Sequence, residues 1–572
     1  MRRLGLVFVG FAAIAAALIE TATAQDDVRR LPVRRYVDKM QAGWIGQMAG
    51  VGWGGPTEWW CRGEIMAENR VPKWHPGLIN QFNQDDIYVE MTFLQTLETH
   101  GLDVSIRQAG IDFANSRYRL WCANKTGRDN LRKGIAPPDS SHPKLNPNAD
   151  DIDYQIEADY SGLIAPGMPQ LAIELGEKFG RLMNYGDGLY AGQFVGAMYA
   201  EAFFEDDIVK IIKTALRAIP AESQYAEMVR DMLAWYEKNP DDWQKTWQWV
   251  EDKYHKDPRY SHGLWKLTEA GAKGEQNIDA KLNGAYILMG LLYGKGDPDQ
   301  TIVISIRCGQ DSDCNPSNAA GILFTTMGLE KVPARFKSAL NPEGKFSHTP
   351  YDFPKLIDVS KVLVRQAVER GGGRIEKQAN GEEVFVIPVV ASQPSELMRS
   401  WEPGPIAGSK FTDAEMAKIQ ATSSGVHTKT DIGTDLEKFA PGWKSDNCGV
   451  AENPGLHASR GGREKVLVTH PLNGSMPCVL TKTVDIPTGR KTRLVIEVGH
   501  DPRGDWILLV TANGKQVKQE IIGGRTCIDG WTEVRVDLSG YAGKSVSLGL
   551  ENRANGWHFE TGYWSHIAIE SD

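Results

Sequence analysis

A chain of 572 residues, 41% hydrophobic and 24% charged, has the apolar mass for a sizeable core and, at about 150 residues per domain, for more than one domain. Its 64 Lys and Arg against 73 Asp and Glu leave a formal net charge of −9, and no basic tract is present to neutralise phosphates, which argues against a nucleic-acid partner. Seven cysteines, odd in number and in neither CxxC nor zinc-like spacing, argue against a structural zinc site.

The N-terminus reads as a secretory signal. Arg2 and Arg3 precede the apolar run "LGLVFVGFAAIAAALI", and Ala22-Thr23-Ala24 forms a small-residue cleavage site before Gln25. Residues 1–24 are therefore expected to be removed, leaving 548 residues; the loss of two Arg and one Glu takes the formal charge to −10. The apolar run is shorter than the ~20 residues that span a bilayer. The expectation is a bacterial periplasmic or secreted protein without a membrane anchor, in a compartment that permits disulfides.

From 33 to 370 the apolar period is helical. Ile208, Ile211, Ile212, Ala215, Leu216 and Ile219 follow i, i+3, i+4, i+7, and Tyr225, Met228, Val229, Met232, Leu233 and Tyr236 repeat the pattern. Segments such as "YAGQFVGAMYAEAFF" are rich in Gly and Ala, which lets helices approach closely. The prediction is a compact all-α domain.

Three acidic stretches interrupt it. In "NQDDIYVEMTFLQTLE" the spacing of Ile87, Met91, Leu94 and Leu97 places Asp85 and Asp86 at a helix start, where one could cap and the other favour the helix dipole. The stretch "NADDIDYQIEADYSGLIAPGMP" carries Asp153, Glu157 and Asp159, either as a solvated loop or with Glu157 and Asp159 in the cleft as sugar-hydroxyl ligands or an acid/base pair. In "RCGQDSDCNPSNAAG", Asn315 could cap a helix with Pro316 at its first position, which leaves Asp311 and Asp313 unexplained. Cys314 could pair with Cys308. Two carboxylate pairs at helix starts in one bundle repel unless solvated, protonated or bridged by cations. Oxygen ligands favour a hard ion, Mg²⁺ or Ca²⁺, over zinc.

After 370 the period changes. Residues 371–440 carry an Asn380-Gly381 hairpin signal and a proline-containing linker, "QPSELMRSWEPGPIAGS". Residues 441–572 show short alternating strands, with Asn513-Gly514 as a second hairpin signal, and read as a β-sandwich. Its closing aromatics Trp557, Tyr563 and Trp564 could stack on sugars or fill the core, and the strand pattern resembles jelly-roll carbohydrate-binding modules. This domain is expected to hold the protein on polymeric substrate and to be dispensable for chemistry.

The helical domain resembles the ADP-ribosylglycohydrolase family, an all-α fold whose members hold two Mg²⁺ ions. Gln84-Asp85-Asp86-Ile87 matches the family's Thr-Asp-Asp-Thr, and Gly309-Gln310-Asp311-Ser312-Asp313-Cys314 matches its Gly-Gly-Asp-Thr-Asp-Thr. The opening "GVGWGGPTE" places Gly50, Gly54, Pro56 and Glu58 in register with the family's first motif, with Val51 where the family has Asp. The resemblance implies Gln84, Asp85, Asp86, Asp311, Asp313 and Cys314 as metal ligands, for two Mg²⁺ or another divalent ion. It also implies Glu58, Asp85 and Asp313 as the catalytic group. Ile87 cannot ligate, and Cys314 is a soft ligand where a hydroxyl is expected.

The expected function is hydrolysis of a glycosidic bond in an extracellular glycan or glycoside with a furanose-like or cis-diol sugar, Asp153, Glu157 and Asp159 contacting substrate. Alternatives are true ADP-ribosyl hydrolysis and a catalytically silent glycan-binding protein. A carbohydrate or glycoside is the expected partner; the sequence gives no oligomeric state.

Overall fold

The computed structural model describes residues 28–262, 275–419, 429–472, 476–555 and 559–572; the signal segment and Trp557 lie outside the described residues. A helical domain is followed by antiparallel β-sheets. Among the described residues no helix is long and apolar enough to cross a membrane.

The helical domain is organised by the packing of Val33–Gly54 on Cys314–Met327. Both helices are buried almost throughout, and small residues set their separation. A Cβ on Gly50 would lie 2.2 Å from the Pro316 carbonyl oxygen, and one on Gly54 would lie 2.1 Å from the Ser312 carbonyl oxygen. The glycines of "GVGWGGPTE" are thus explained by close approach to the loop that carries Asp311 and Asp313. Gly54→Ala forces backbone against backbone, where no flexible side chain can yield. We expect it to cost about 1–3 kcal/mol, the usual range for overpacking, read as a lower denaturation midpoint of the full-length protein. An unchanged midpoint would contradict this packing account.

The predicted helices at 208–219 and 225–236 appear as Ile208–Ala215 with a following 3₁₀ turn, and as Gln224–Lys238. Ser223 caps the second by accepting from the Ala226 amide. The helix expected near Asn315 begins one residue earlier, at Cys314. Asp313 precedes it without a capping side chain, and Asn315 instead donates to Asn283 Oδ1 at 2.9 Å.

The Asn380-Gly381 turn joins β2 (Arg374–Lys377) to β3 (Glu383–Pro388), as its signal predicts. β3 also pairs with β1 (Val28–Pro32), so this hairpin closes on the start of the helical domain. The chain that follows, read from its prolines as a linker, is a strap on that domain. Ser395 accepts from Gln193, Ser400 donates to Asp150, and Glu415 binds Arg107 through both oxygens. Phe411 and Ile419 bury in the helical core, whereas Ile432 belongs to the sandwich core.

The sandwich has two five-stranded antiparallel sheets. One orders β10 (Lys515–Ile522), β9 (Trp506–Ala512), β12 (Ser545–Ala554), β7 (Cys478–Asp485) and β4 (Lys444–Asp446); the other orders β11 (Trp531–Asp537), β8 (Thr492–His500), β13 (Gly562–Ser571), β6 (Arg463–Thr469) and β5 (Gly455–Arg460). Leu480, Val510 and Leu550 from one sheet meet Leu494, Ile496 and Val498 from the other, which closes a core between them. Asn513 and Gly514 both have positive φ in the β9–β10 turn, as the hairpin signal requires.

Two of the closing aromatics are core groups, not a sugar platform. Trp564 is fully buried against Trp506 and donates to Thr469 Oγ1 at 2.8 Å, and Tyr563 is 2% exposed. Strand alternation sends them to opposite faces of their sheet: Trp564 joins the core between the sheets, and Tyr563 is buried on the other face with Val466, Val468 and Trp531. All seven cysteines are free thiols, and the Cys308 sulfur lies 3.8 Å from the Met289 sulfur, so the Cys308–Cys314 pairing is not formed.

Candidate active site

Glu58 follows the helix Val33–Gly54 by one 3₁₀ turn, Gly55–Thr57. The loop after Arg307 is clamped beside it. Gly309 and Gln310 both have positive φ; the Gln310 amide donates to the Cys61 carbonyl at 2.7 Å and its carbonyl accepts from the Trp59 amide at 3.1 Å. Thr57 and Ser312 hydroxyls share a 2.9 Å hydrogen bond. A left-handed non-glycine residue persists only where its surroundings fix it, and these contacts hold Asp311 and Asp313 next to Glu58.

The helix Asp85–His100 brings the second pair. Neither aspartate caps it: Gln84 is the preceding residue, without a capping side chain, and its amide nitrogen lies beside Gly55. Asp85, Asp86 and Cys314 offer ligand atoms within 4.8 Å of one another, as do Asp311, Asp313 and Cys314. The two motifs, more than 200 residues apart in sequence, meet at Cys314.

This crowding shows in the protonation of the acids. Burial, then Asp85 and Asp313, hold the Asp86 carboxyl well above the usual range. Burial and Asp313 push Asp85 up to about 6. Asp311 is raised by burial and by Asp313, with which it shares a hydrogen bond. Burial and Asp313 raise Glu58, opposed by Arg503, although its side chain is still 28% exposed. Burial keeps the Cys314 thiol protonated.

Among the described residues, neither oxygen of Asp86 nor Oδ1 of Asp313 has a hydrogen-bond partner. Buried carboxylate oxygens without donors are costly. A divalent cation would satisfy them, so Asp85, Asp86, Asp311 and Asp313 fit a hard ion. The protonated Cys314 sulfur, shared by both groups, suits such an ion least.

Asp153 and Glu157 are buried beside Asp85. Asn124 donates its amide N–H to Asp153 at 2.5 Å and its side-chain N–H to Glu157, and burial raises both carboxyls, to which Asp85 adds repulsion. Glu157 Oε2 has no partner among the described residues. Asp159 is placed differently from the substrate loop predicted for it. It is fully buried between helices, accepting from Tyr199 at 2.9 Å and Asn318 at 2.6 Å, and lies behind Asp86 beyond Glu90. Helix burial, not solvation, claims that carboxylate. Ile87 is core.

Sequence reasoning missed Asn124, Cys122, Tyr88, Arg119 and Arg503. Cys122 sits near Asp85 and Asp311 with a φ of 39°, and Tyr88 donates to the Arg119 carbonyl at 3.0 Å. The aromatic start of "WCAN" was the available signal: Trp121 is 43% exposed and lies under the Arg119 guanidinium at 4.8 Å.

The raised acids fix a pH dependence. Asp85 at about 6, with Asp151 and Asp159 at about 7, bind protons more tightly folded than in the unfolded chain, where an Asp titrates near about 3.9. The folded state then holds more protons through this window, so stability falls as pH rises from about 4 to about 7. Thermal unfolding of chelator-treated protein across that range should show the decline, and added Mg²⁺ should flatten it; a rise with pH in chelator would contradict the assignment.

No curated protein matches the chain. Among solved structures, an ADP-ribosylglycohydrolase-related protein complex is similar at 16% identity over 58% of this chain and 99% of that one, with a TM-score of 0.37. A Stig cyclase, Fisc from Fischerella sp. TAU, is similar at 14% identity over 25% of this chain and 96% of that one, with a TM-score of 0.19. The ADP-ribosylglycohydrolase family model matches residues 32–370, more than half of the chain and the whole span between Glu58 and the Asp311 loop. The chain belongs to the ADP-ribosylglycohydrolase family.

Proposed function

We propose that this protein is a metal-assisted glycosidase of its family, exported by the signal at its N-terminus, which hydrolyses a glycan or glycoside through a furanose-like or cis-diol sugar. One observation carries the reading: two buried carboxylate pairs converge with unpartnered oxygens beside Glu58. The family is typically divalent-metal dependent. Asp85, Asp86, Asp311 and Asp313 would hold one or two Mg²⁺, or Ca²⁺ or another divalent ion, with Gln84 and Cys314 as further ligands. A bound divalent ion supplies positive charge to orient adjacent hydroxyls and to acidify water.

The chain's own residues supply the rest. Glu58, its carboxyl raised by burial and by Asp313 and held back by Arg503, acts as the acid/base. Asp313 and Asp85 favour its neutral form by repulsion, and Arg503 favours its charged form. Glu157, with one oxygen unpartnered, accepts from a sugar hydroxyl, and Asn124 orients both Glu157 and Asp153. Trp121 offers an exposed aromatic face to a sugar ring.

Removal of ADP-ribose is the second reading, favoured by family membership. Against it, Asp153 and Glu157 lie beside Asp85, where added anionic charge from a diphosphate would meet carboxylates. The test is turnover on methyl pentofuranosides and plant or algal oligosaccharides against ADP-ribosyl-arginine and ADP-ribosyl-serine, with and without chelator. We expect chelator-sensitive sugar release from the former. Metal-dependent release of ADP-ribose, with no activity on any glycoside, would overturn the glycan reading.

A further inference from the structure

The sandwich reaches the carboxylate cluster. Between β8 and β9 the turn "HDPRGD" carries Asp501 and Arg503. Asp501 Oδ1 accepts from the Arg503 amide and Nε, both at 3.0 Å, and its Oδ2 accepts from Nη2 at 3.2 Å. Tyr563 donates to Asp501 Oδ2 at 3.1 Å and accepts from Arg460 Nε at 3.1 Å. Glu452 lies 3.4 Å from Nη2, and the Phe559 ring faces the guanidinium at 3.9 Å. Arg503 is therefore held on three sides by its own domain, with Nη1 left to point out of it.

Nη1 stands 3.9 Å from Glu58 Oε2. That separation is an ion pair without a hydrogen bond, so the Glu58 oxygens keep their lone pairs for a reacting group while the guanidinium field orients the carboxyl. On the far side Glu452 also faces Arg119, whose carbonyl is tied by Tyr88 to the helix headed by Asp85. Charges thus alternate across the domain boundary: Arg119, Glu452, Arg503, Glu58. The apolar cores of the two domains are separate, so no shared hydrophobic cluster accounts for this register.

We propose that the active site is bipartite and that Arg503 of the sandwich is a positioning residue for Glu58, an inference that rests on the acid/base role assigned to Glu58 above. The sandwich is then more than an attachment module: removing its arginine slows the chemical step, although no metal-binding carboxylate is substituted.

The test uses full-length protein with methyl pentofuranosides and ADP-ribosyl-arginine as probes, comparing Arg503→Ala, Arg503→Lys, Glu58→Gln and the Glu58→Gln/Arg503→Ala double variant. We expect Arg503→Ala to lower kcat about tenfold or more with KM within about twofold, the signature of an interaction made in the transition state. Arg503→Lys should recover much of the loss, and Arg503→Ala should cost nothing further in the Glu58→Gln background, because both residues act in one step. A KM change alone, or an equal loss in the Glu58→Gln background, identifies a mere tether and overturns the proposal. An inactive Glu58→Gln beside a fully active Arg503→Ala sinks this inference alone; a fully active Glu58→Gln sinks the functional reading beneath it. Hydrogen exchange reads the contact whatever the turnover: the Trp59 and Trp60 amides should exchange faster in Arg503→Ala and be protected again in Arg503→Lys. Unchanged exchange in Arg503→Ala would also overturn it.

Discussion

Glu58→Gln should lower turnover by about 10²-fold or more, the usual size of a lost general acid or base, while leaving the fold and the metal affinity nearly intact. The substitution keeps the volume and polarity of a side chain that packs in no apolar core, so a folding defect is not expected. It removes the one carboxyl that is raised by burial and by Asp313, countered by Arg503, and still partly open to solvent. The loss should fall on kcat. Steady-state kinetics on the best glycoside of the panel, with Mg²⁺ saturating, is the check; wild-type turnover in Glu58→Gln would remove Glu58 from the reaction.

Asp86→Asn has a sign that separates a metal site from a structural acid. Asp86 is fully buried with neither oxygen partnered among the described residues, and Asp85 and Asp313 raise its carboxyl by repulsion. In chelator, the neutral amide relieves that repulsion, so the variant should unfold at a higher temperature than the wild type at neutral pH. In Mg²⁺ the order should invert. A ligand bound only by the folded state stabilises by about 2.7 kcal/mol at 100 times its dissociation constant, and the variant forfeits most of this. Turnover should fall with the metal affinity. If Asp86→Asn is destabilised equally with and without Mg²⁺, Asp86 is a packing residue and the cluster is no metal site.

What was legible in the chain was local. The two carboxylate pairs could be placed at helix starts because apolar spacing and small residues surround them, and the structure brings Asp85, Asp86, Asp311, Asp313 and Cys314 together. The alternation after 440 gave the sandwich, Asn513-Gly514 gave one of its turns, and Asn380-Gly381 gave the β2–β3 hairpin on the helical domain. What depended on long-range packing was not legible. Asp159 looks like a member of an acidic loop, yet Tyr199 and Asn318, from helices elsewhere in the chain, bury it. Tyr563 and Trp564 look like a sugar platform in a one-dimensional reading, but Trp564 is buried between the sheets and Tyr563 on the opposite face against Trp531. Pro394, Pro403 and Pro405 suggest a linker, because the sequence does not reveal the hydrogen bonds that strap it to the helical domain. Arg503 is the sharpest case. Its role depends on two domains meeting, and only Asp501, two residues before it, hints that the arginine is fixed.

The central claim is that Asp85, Asp86, Asp311 and Asp313 form a divalent-cation site. Calorimetric titration of Mg²⁺ into chelator-treated full-length protein at neutral pH tests it most directly, run beside Asp86→Asn and Asp311→Asn. The account predicts saturable binding to the wild type, with protons released as the raised carboxyls ionise, and loss of that binding in both variants. No heat of binding to the folded wild type, or binding that survives both substitutions unchanged, would contradict it.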